Sequence, residues 1–440
     1  MSVDPIARGL AAKTRSDALG GVNTQALVRA ARTLGAHPRA KATLAANDTP
    51  VLTVGTDWAV STINGAAVTA AAVGRADSRL TYLSGPAVYR SAGAAWAINN
   101  FFVMRGGYLG ANDALGNPQR DGCHFAYEFT HTGTTFEVPM WTVGAGGTNL
   151  RVLVNDAVGG TAAVPITGSF TFLKVQFPAS GTRRIRIETN GVPCNGVNVA
   201  NPSEVTAPSR DYPMVSILTD SFSDGSGSEI GDVQAVVMAR ALGLNPALAA
   251  VGGTGIINPG GNNYSGYPKV AWHHAERVRD LTLSGVVSEQ TGAAVDPAMG
   301  IVFASINDTS LAAGVWSPYG ASLTDAIENR CNVLIDAWLA ARPGKPLVFF
   351  GPTWPNYGGI LDTHRVRDGV QRAAWARSSS NVWFIDRLMP YHRTGLWNNA
   401  ADPASLYTGT DGIHPTAAGH RFDGLTDAAA LRALILSEMA

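Results

Sequence analysis

The C-terminal half of the chain contains a serine, a histidine and a carboxylate in settings that suit nucleophilic catalysis. Ser221 directly follows the apolar run MVSILTD, so it would lie where a buried strand ends. Asp411 and His414 are three residues apart in TDGIHP, close enough for the carboxylate to hold the imidazole through Nδ1. The free Nε2 could then remove a proton from Ser221. Taken singly, an Asp-Ser pair after a strand more often forms only a turn or a helix cap. Asp411 and His414 alone are as compatible with a capped turn and a surface loop residue as with catalysis.

Two further segments could stabilise a negative charge that develops beside this serine. Asn307 ends the apolar run GIVFASIND and presents a side-chain amide, and one such donor is worth roughly 3 kcal/mol in a transition state. The glycine-rich segment AVGGTGI could donate backbone N–H groups, from Gly255 or alternatively from Gly253. An Asn-Asp turn and close backbone packing are the ordinary alternatives. A phosphate-binding loop does not fit, because no Lys-Ser/Thr pair follows the glycines.

Alternating strands and helices would bring these segments together. From Pro213 onward the apolar runs MVSILTD, LAAVGGTG, GIVFASIND, PLVFFGPTW and NVWFIDR alternate with the helical patterns DVQAVVMARALGL, TDAIENRCNVLIDAWLAARPG and RFDGLTDAAALRALILSEM. Such alternation predicts a parallel sheet covered by helices on both faces. Sites in open sheets of this kind form outside the carboxyl ends of the strands, which is where these residues fall.

The region before this sheet has a different pattern. Segments such as HFAYEFT, LRVLVND, FTFLKVQF and RRIRIET alternate every two residues and are separated by Gly, Asn, Asp and Pro clusters. In the last of them, Ile185 and Ile187 face one way while Arg184, Arg186 and Glu188 face the other. The pattern predicts an antiparallel β-sandwich of jelly-roll type.

Three segments follow from these patterns. Residues 1–48 show apolar spacings of three and four and are expected to form a short helical segment that docks on a partner or on the next domain. Residues 49–205 form the predicted β-sandwich. A polar stretch rich in Pro and Ser, residues 199–212, marks the boundary with the α/β domain, residues 206–440.

Composition narrows the range of partners. The 440-residue chain has 33 Lys plus Arg and 33 Asp plus Glu, so its formal net charge is zero. A neutral chain lacks an overall electrostatic attraction for nucleic acid or anionic membranes. The start has no apolar stretch of the kind a signal peptide needs, and no later segment is apolar enough to span a bilayer. We expect neither nucleic-acid nor membrane partners; virion association and extracellular release both stay open.

The cysteines and histidines outside these motifs suggest no metal site. Three cysteines, Cys123, Cys194 and Cys331, are too few and odd in number for a disulfide framework. Free buried thiols are favoured, and a bridge between Cys123 and Cys194 stays open. The neighbours His273 and His274 lack metal-ligand spacing and are expected to be surface residues or hydrogen-bonded polar residues. No metal or cofactor is expected.

The four C-terminal motifs, in this order, resemble the SGNH (GDSL-like) hydrolase superfamily. The GDS-type, glycine, G-x-N-D and D-x-x-H blocks of that family correspond here to TDSFSDG, GGTG, SIND and DGIH, and the likeness spans residues 214–440. The last block, DGIHP followed by AAGH, is the most specific. Thr219 and Ser305 replace glycines of the family pattern, which puts the geometry of the two loops in question.

This resemblance implies roles for individual residues. Ser221 would be the nucleophile, His414 the general base and acid, and Asp411 the residue that orients His414. The backbone N–H groups of Ser221 and Gly255, together with the Asn307 side chain, would form the oxyanion hole.

The substrate is suggested only by the domain arrangement and by aromatic residues. A β-sandwich ahead of an SGNH domain resembles carbohydrate acetylesterases, which implies a polysaccharide O-acetylesterase acting on an acetylated glycan. Trp354 and Tyr357 follow the fourth predicted strand and could stack on sugar rings, although aromatics in such runs more often belong to a core.

Other functions stay open. The start SVDPIARGLAAK resembles phage tail-associated proteins over about a dozen residues, so tail or homo-oligomer contacts through this segment are a hypothesis. One alternative is therefore a phage receptor-binding protein whose SGNH domain binds glycan without turnover. Another is a lipolytic esterase or thioesterase that acts on small acyl groups.

Overall fold

The structure is a computed structural model that divides into two compact units. It describes residues 27–29, 31–32, 43–55, 73–74, 77–83, 89–91, 97–98, 101–102, 124–141, 149–164, 170–190, 194, 196–209, 212–223, 231–260, 273–288, 293–309, 311–353, 360–388, 407–409 and 413–438. The β unit comprises His37–Asp211 and Gly285–Val295. The α/β unit comprises Met1–Ala36, Tyr212–Ser284 and Asp296–Ala440.

The described strands of the β unit pair only in antiparallel fashion. They are β1 (Val51–Gly55), β2 (Thr81–Leu83), β3 (Tyr89–Ser91), β4 (Ala97–Ile98), β5 (Phe101–Phe102), β6 (His124–His131), β7 (Thr135–Trp141), β8 (Asn149–Val154), β9 (Ala157–Ala163), β10 (Phe170–Gln176), β11 (Arg183–Asn190) and β12 (Val205–Thr206). One sheet has the order β1-β10-β7, and another has the order β12-β6-β11-β8-β9 with β2 also on β6. The predicted strand pattern is confirmed, whereas the jelly-roll sandwich stays a prediction.

One segment within the predicted C-terminal domain belongs to the β unit. Residues 285–295 include the strand β15 (Val286–Ser288), which pairs with β3. The sequence pattern over 206–440 predicts one continuous domain, because a three-residue strand leaves too weak a periodic signal to indicate its partner.

The six-stranded sheet carries buried charges on the face opposite Ile185. Glu128 on β6 lies across from Arg186 on β11 and forms an ion pair with it. Glu188 on β11 lies across from Arg151 on β8, with a nitrogen-to-oxygen distance of 2.6 Å. All four charged side chains are at most 4% exposed. The predicted two-residue alternation is present, but the polar face is buried and its charges are neutralised in pairs across the strands.

Replacing Glu188 with Gln tests this pairing. The change leaves Arg151 buried without its carboxylate, so we expect the free energy of unfolding to fall by about 3–5 kcal/mol. Asp336→Asn is the matched control, because Asp336 pairs with Arg377 at 3.1 Å in a largely exposed setting and should cost less than about 1 kcal/mol. Urea titration of the full chain measures both variants. Equal losses would show that burial adds nothing to the Glu188 pair.

The α/β unit is built on one parallel sheet. Its strands are β13 (Met214–Thr219), β14 (Asn245–Ala250), β16 (Met299–Phe303), β17 (Leu347–Phe350) and β18 (Val382–Ile385). Their order is β14-β13-β16-β17-β18, and every pairing is parallel. The described helices are α1 (Gln234–Ala241), α2 (Val278–Thr282), α3 (Ala313–Trp316), α4 (Leu323–Ala341), α5 (Ile360–Ala376) and α6 (Ala417–Glu438). The predicted helix-covered parallel sheet is confirmed.

Both faces of the parallel sheet are buried beneath helices. Along β13, Val215 and Ile217 pack in the same core as α1 and α6. Leu218 points the other way and packs with residues of α2, α4 and α5. Since both faces are covered, the strands read as nearly continuous apolar runs. Within β13, the buried Ser216 is an exception, and its hydroxyl donates to a backbone carbonyl of α2.

Part of the N-terminal segment packs on this unit. Leu27, Val28 and Ala31 lie in helical backbone and belong to the core beside α1 and α6. Arg432 Nε on α6 donates a hydrogen bond of 2.7 Å to the carbonyl of Ala31. Within the predicted segment 1–48, Leu27, Val28 and Ala31 therefore use their apolar face within the chain, whereas contacts with a phage tail or a second copy stay predictions. Residues 43–48 belong instead to the β unit, where Asp48 pairs with Arg183.

The sequence pattern does not predict helix α5. It has a glycine at its centre and many charged residues, which weaken a helical pattern. Its buried positions, Val366, Val370 and Ala373, nevertheless follow a spacing of three and four. Gly369 lies where α5 crosses α4, and a Cβ there would overlap the carbonyl oxygen of Thr324. Across the described residues, none of the helices has both the length and the apolar character needed to cross a bilayer.

Candidate active site

The topology of the parallel sheet brings three predicted segments to one edge. The chain runs from β13 outward to β14 and then returns to the other side of β13 for β16. A crevice opens at such a switch point, beyond the carboxyl ends of the two strands that flank it. Ser221 begins a 3-10 turn, Ser221–Ser223, directly after β13. The glycine loop follows β14, and a second 3-10 turn, Ile306–Asp308, follows β16.

His414 lies beside the nucleophile turn. Its carbonyl accepts the N–H of Gly409 at 2.8 Å, and the N–H of Thr416 donates to the carbonyl of Tyr407 at 2.9 Å. These bonds fix the loop just before α6. The His414 ring packs edge-on against Phe222, with ring centroids 5.9 Å apart. Since Phe222 follows Ser221, the structure brings the predicted base and nucleophile into one neighbourhood.

One predicted triad member, Asp411, lies outside the described residues. The same holds for the predicted sugar-stacking residues Trp354 and Tyr357 and for Cys123. Their roles stay predictions.

A buried carboxylate precedes the nucleophile. Asp220 Oδ1 accepts the N–H of Phe222 at 3.0 Å, and Oδ2 accepts a hydrogen bond from the Ser305 hydroxyl. Burial raises the pKa of the Asp220 carboxyl, while the bonds from Ser305 and Phe222 and the electrostatic interactions with Arg387 and His414 lower it. The carboxylate therefore holds the turn that presents Ser221.

Asn307 projects from the turn after β16 toward the glycine loop. Its side-chain Nδ2 donates to the carbonyl of Thr254 at 3.0 Å, and its own carbonyl accepts Nδ2 of Asn258 at 2.5 Å. One amide N–H holds the side chain in place, and an amide carries a second N–H that a substrate oxygen can use.

The two glycine candidates for the oxyanion hole differ in how their N–H groups are used. The N–H of Gly255 donates to the carbonyl of Asn258 at 2.9 Å. Gly253 has a backbone φ of 73°, a conformation that favours glycine, and its N–H has no acceptor among the described residues. The N–H of Ser221 likewise has no acceptor among the described residues. The geometry thus favours Gly253 over Gly255 as a donor to a bound oxyanion.

Asp308 holds the glycine loop in shape. Its Oδ2 accepts the N–H of Ile256 at 2.6 Å, and Oδ1 accepts the N–H groups of Ile257 and Asn258, each at 3.0 Å. A Cβ at Gly255 would overlap this carboxylate, so glycine is required there by close packing. Burial raises the pKa of Asp308 to about 6, despite the three N–H donors that lower it.

Two histidines behind the nucleophile strand differ from expectation. His273 and His274 are buried, at 1% and 0% exposure, so the surface prediction is wrong. Burial lowers the pKa of both, to about 4 for His273, which leaves both rings neutral near pH 7. His274 interacts with the backbone of Thr219, and His273 Nε2 lies 3.7 Å from Oε1 of Glu276. Nearby, Arg277 Nη2 donates to the carbonyl of Thr219 at 3.0 Å, which supports the end of β13.

The remaining sequence candidates add no chemistry. Cys194 and Cys331 are buried, and burial raises the pKa of both thiols, which keeps them protonated. Within the described part of the chain, His, Cys, Asp and Glu side chains form no group of three that could hold a metal ion.

Sequence reasoning missed the supporting roles of Asp220 and Ser305. In the sequence, Asp220 is visible only as the end of an apolar run, and Ser305 only as a departure from the family pattern. A usable signal was present for Ser305, because a serine that directly precedes a helical turn commonly accepts a hydrogen bond from the backbone N–H two residues later. The bond between Ser305 and Asp220 had no sequence signal, since 85 residues separate the two.

The fold is shared with known proteins. No family model matches the sequence, and no curated protein matches it either. The salicylyl-acyltransferase of a tetracycline biosynthetic pathway gives a TM-score of 0.56 at 14% identity, over 85% of this chain and 100% of that one. A family two carbohydrate esterase from Cellvibrio japonicus gives 0.54 at 13% identity, over 88% and 99%.

A third similar structure extends this group. An acetyl xylan esterase from the rumen bacterium Butyrivibrio proteoclasticus gives a TM-score of 0.52 at 13% identity, over 82% of this chain and 100% of that one. At these identities the comparisons establish a common fold. The predicted resemblance is thereby confirmed as a likeness of fold.

Replacing Asp308 with Asn tests its role in the site. The amide cannot accept the N–H of Ile256 as the carboxylate does, so we expect a loss of about 1–3 kcal/mol in the free energy of unfolding. The pKa of Asp308 is about 6 when folded, against about 4 in an unfolded chain. The folded chain thus binds this proton more tightly, and the contribution of Asp308 to stability falls as pH rises from about 4 to about 6.

Asn has no such proton to bind. We therefore expect the destabilisation by Asp308→Asn to be larger at pH 4 than at pH 7, as measured by urea unfolding at both values. The exposed exchange Asp336→Asn serves as the control and should show no comparable change between the two pH values. A loss that does not depend on pH would contradict the raised pKa.

Proposed function

We propose that this chain is a serine esterase that removes O-acetyl groups from a polysaccharide. The single observation that carries the proposal is the packing of His414 against the turn of Ser221, at the switch point of a parallel sheet. A hydroxyl and an imidazole in one crevice suit acyl transfer through a covalent intermediate, especially beside N–H donors that have no acceptor among the described residues.

The proposed reaction begins when Ser221 Oγ attacks the ester carbonyl while His414 takes its proton. Asp411, three residues before the histidine, would orient the ring and stabilise the imidazolium. The tetrahedral oxyanion would be held by the N–H groups of Ser221 and Gly253 and by the amide of Asn307. His414 then protonates the leaving alcohol, and afterwards it activates the water that releases the acid and frees Ser221.

The choice of an acetylated glycan draws on the comparisons. Two similar structures bear the names of carbohydrate esterases, one of them an acetyl xylan esterase, and each is covered almost end to end. Trp354 and Tyr357, which follow β17 in the sequence, would offer flat faces for sugar rings. An acetyl group is small, which agrees with a nucleophile only 8% exposed.

Acetate release from chemically acetylated xylan, with p-nitrophenyl acetate as a second substrate, tests the activity. Ser221→Ala and His414→Ala should each lower kcat by about 10³-fold or more, because each removes a member of one catalytic unit. Ser223→Ala, on the same turn, is the matched control and should keep activity within a few-fold.

Three outcomes would overturn parts of the proposal. Preference for long acyl chains over acetyl would exclude the acetylesterase. Tight glycan binding without turnover would favour a receptor-binding protein. Full activity in Ser221→Ala would exclude this residue as the nucleophile.

The oxyanion assignment has its own test. Asn307→Ala removes a donor aimed at the developing charge, so kcat should fall by about 10²–10³-fold while KM changes little. Asn329→Ala is the control, since Asn329 Nδ2 donates to the carbonyl of Tyr319 on an exposed surface. A rise in KM at unchanged kcat would instead assign Asn307 to ground-state binding.

A further inference from the structure

The Ser305 hydroxyl joins the two turns that carry the oxyanion donors. It donates to Oδ2 of Asp220 and accepts the N–H of Asn307 at 2.9 Å. The other oxygen of Asp220 accepts the N–H of Phe222 at 3.0 Å. A continuous chain of hydrogen bonds therefore runs from the turn after β13 to the turn after β16.

This chain of bonds continues where the backbone ladder stops. The pairing between β13 and β16 ends at Leu218 and Val302. Beyond that point the strands have no shared ladder, yet Ser221 and Asn307 both lie past it. Side chains must therefore hold the two turns in register across the opening crevice.

Both members of the bridge are shielded from water. Ser305 is 1% exposed and Asp220 is 5% exposed. Water cannot easily replace a lost bond at that depth, and a buried acceptor without its donor is costly. Side chains fixed in this way resist displacement, and a misplacement of about 1 Å can cost about 10²-fold in rate.

We propose that Ser305 is a positioning residue that fixes the Asn307 amide relative to the Ser221 N–H through the buried Asp220. The inference rests on the proposed function, because it gives the two donors a common oxyanion. It also accounts for the serine where the family pattern has glycine. A glycine at this position would contribute only backbone atoms. The Ser305 hydroxyl, in contrast, accepts a hydrogen bond from one turn and donates a hydrogen bond to the other.

Kinetics of Ser305→Ala with p-nitrophenyl acetate provide the first test. We expect kcat to fall by about 10- to 100-fold with KM within about twofold, since the donors act on the transition state. Ser305→Thr retains the hydroxyl and should restore most of kcat. Should the alanine variant fail to fold, Ser305→Gly, which matches the family pattern, removes the same hydroxyl.

A double-mutant cycle separates positioning from general stability. If Ser305 acts through Asn307, Ser305→Ala should cost no more than about two- to threefold in an Asn307→Ala background. Full additivity of the two changes would overturn the proposal, because a merely structural hydroxyl would lower both enzymes equally.

The pKa of Asp220 offers a further readout. Asp220 faces the Ser305 hydroxyl, the Arg387 guanidinium, the His414 ring and the carboxyl group of Asp308. Loss of the Ser305 bond removes an interaction that lowers the pKa of Asp220, so NMR titration should show this carboxyl becoming protonated at a higher pH in Ser305→Ala than in the native protein. Ser305→Thr should leave this pKa unchanged, and an unchanged pKa in the alanine variant would count against the bridge.

Crystal structures distinguish this inference from the proposed function. If the native protein shows no turnover that Ser221→Ala abolishes, the esterase proposal fails. The bridge is then judged by structure alone, from native protein and Ser305→Ala. We expect the Asn307 amide to move away from the carbonyl of Thr254 in the variant. An unmoved amide would overturn the positioning role whether or not the protein is an esterase.

Discussion

Two buried carboxylates shape the loops at the end of the parallel sheet. Asp220 and Asp308 are both removed from water, and a buried charge is tolerated only when donors surround it. Backbone N–H groups of the turns donate to both carboxylates, and the Ser305 hydroxyl also donates to Asp220, so each carboxylate holds a loop in place through its oxygens. The protein itself therefore holds the turn that carries Ser221 and the glycine loop, an arrangement that the proposed catalysis needs.

The sheet gives these loops their common location. Because β13 lies between β14 and β16, the chain leaves it in opposite directions and a crevice opens at its end. Helices cover both faces of the sheet, so the strand ends are where polar groups can gather. His414 reaches the same place because hydrogen bonds to residues 407–409 fix the start of α6 beside Phe222.

Burial of charge is also where sequence reasoning was least reliable. Alternation along β11 correctly separated Ile185 from Arg186 and Glu188, yet it gave no sign that the polar face is covered. His273 and His274 differed from expectation for the same reason. Hydrophobic periodicity reports which side chains share a face, whereas the exposure of that face depends on distant parts of the chain. Helix α5 was not predicted because a glycine in a sequence usually indicates the end of a helix. Gly369 is instead needed for the close approach of α5 to α4.

Sequence patterns were enough to predict the parallel sheet, the strand pattern of the β unit and the residue types at the candidate site. Those features depend on local periodicity and on short motifs, which one sequence displays directly. Tertiary structure alone decided that Ser305 joins Asp220 and that the Gly255 N–H is already bonded within its loop. The first contact joins residues far apart in sequence, and the second depends on the direction of a single N–H group. Neither property produces a periodic pattern in the sequence.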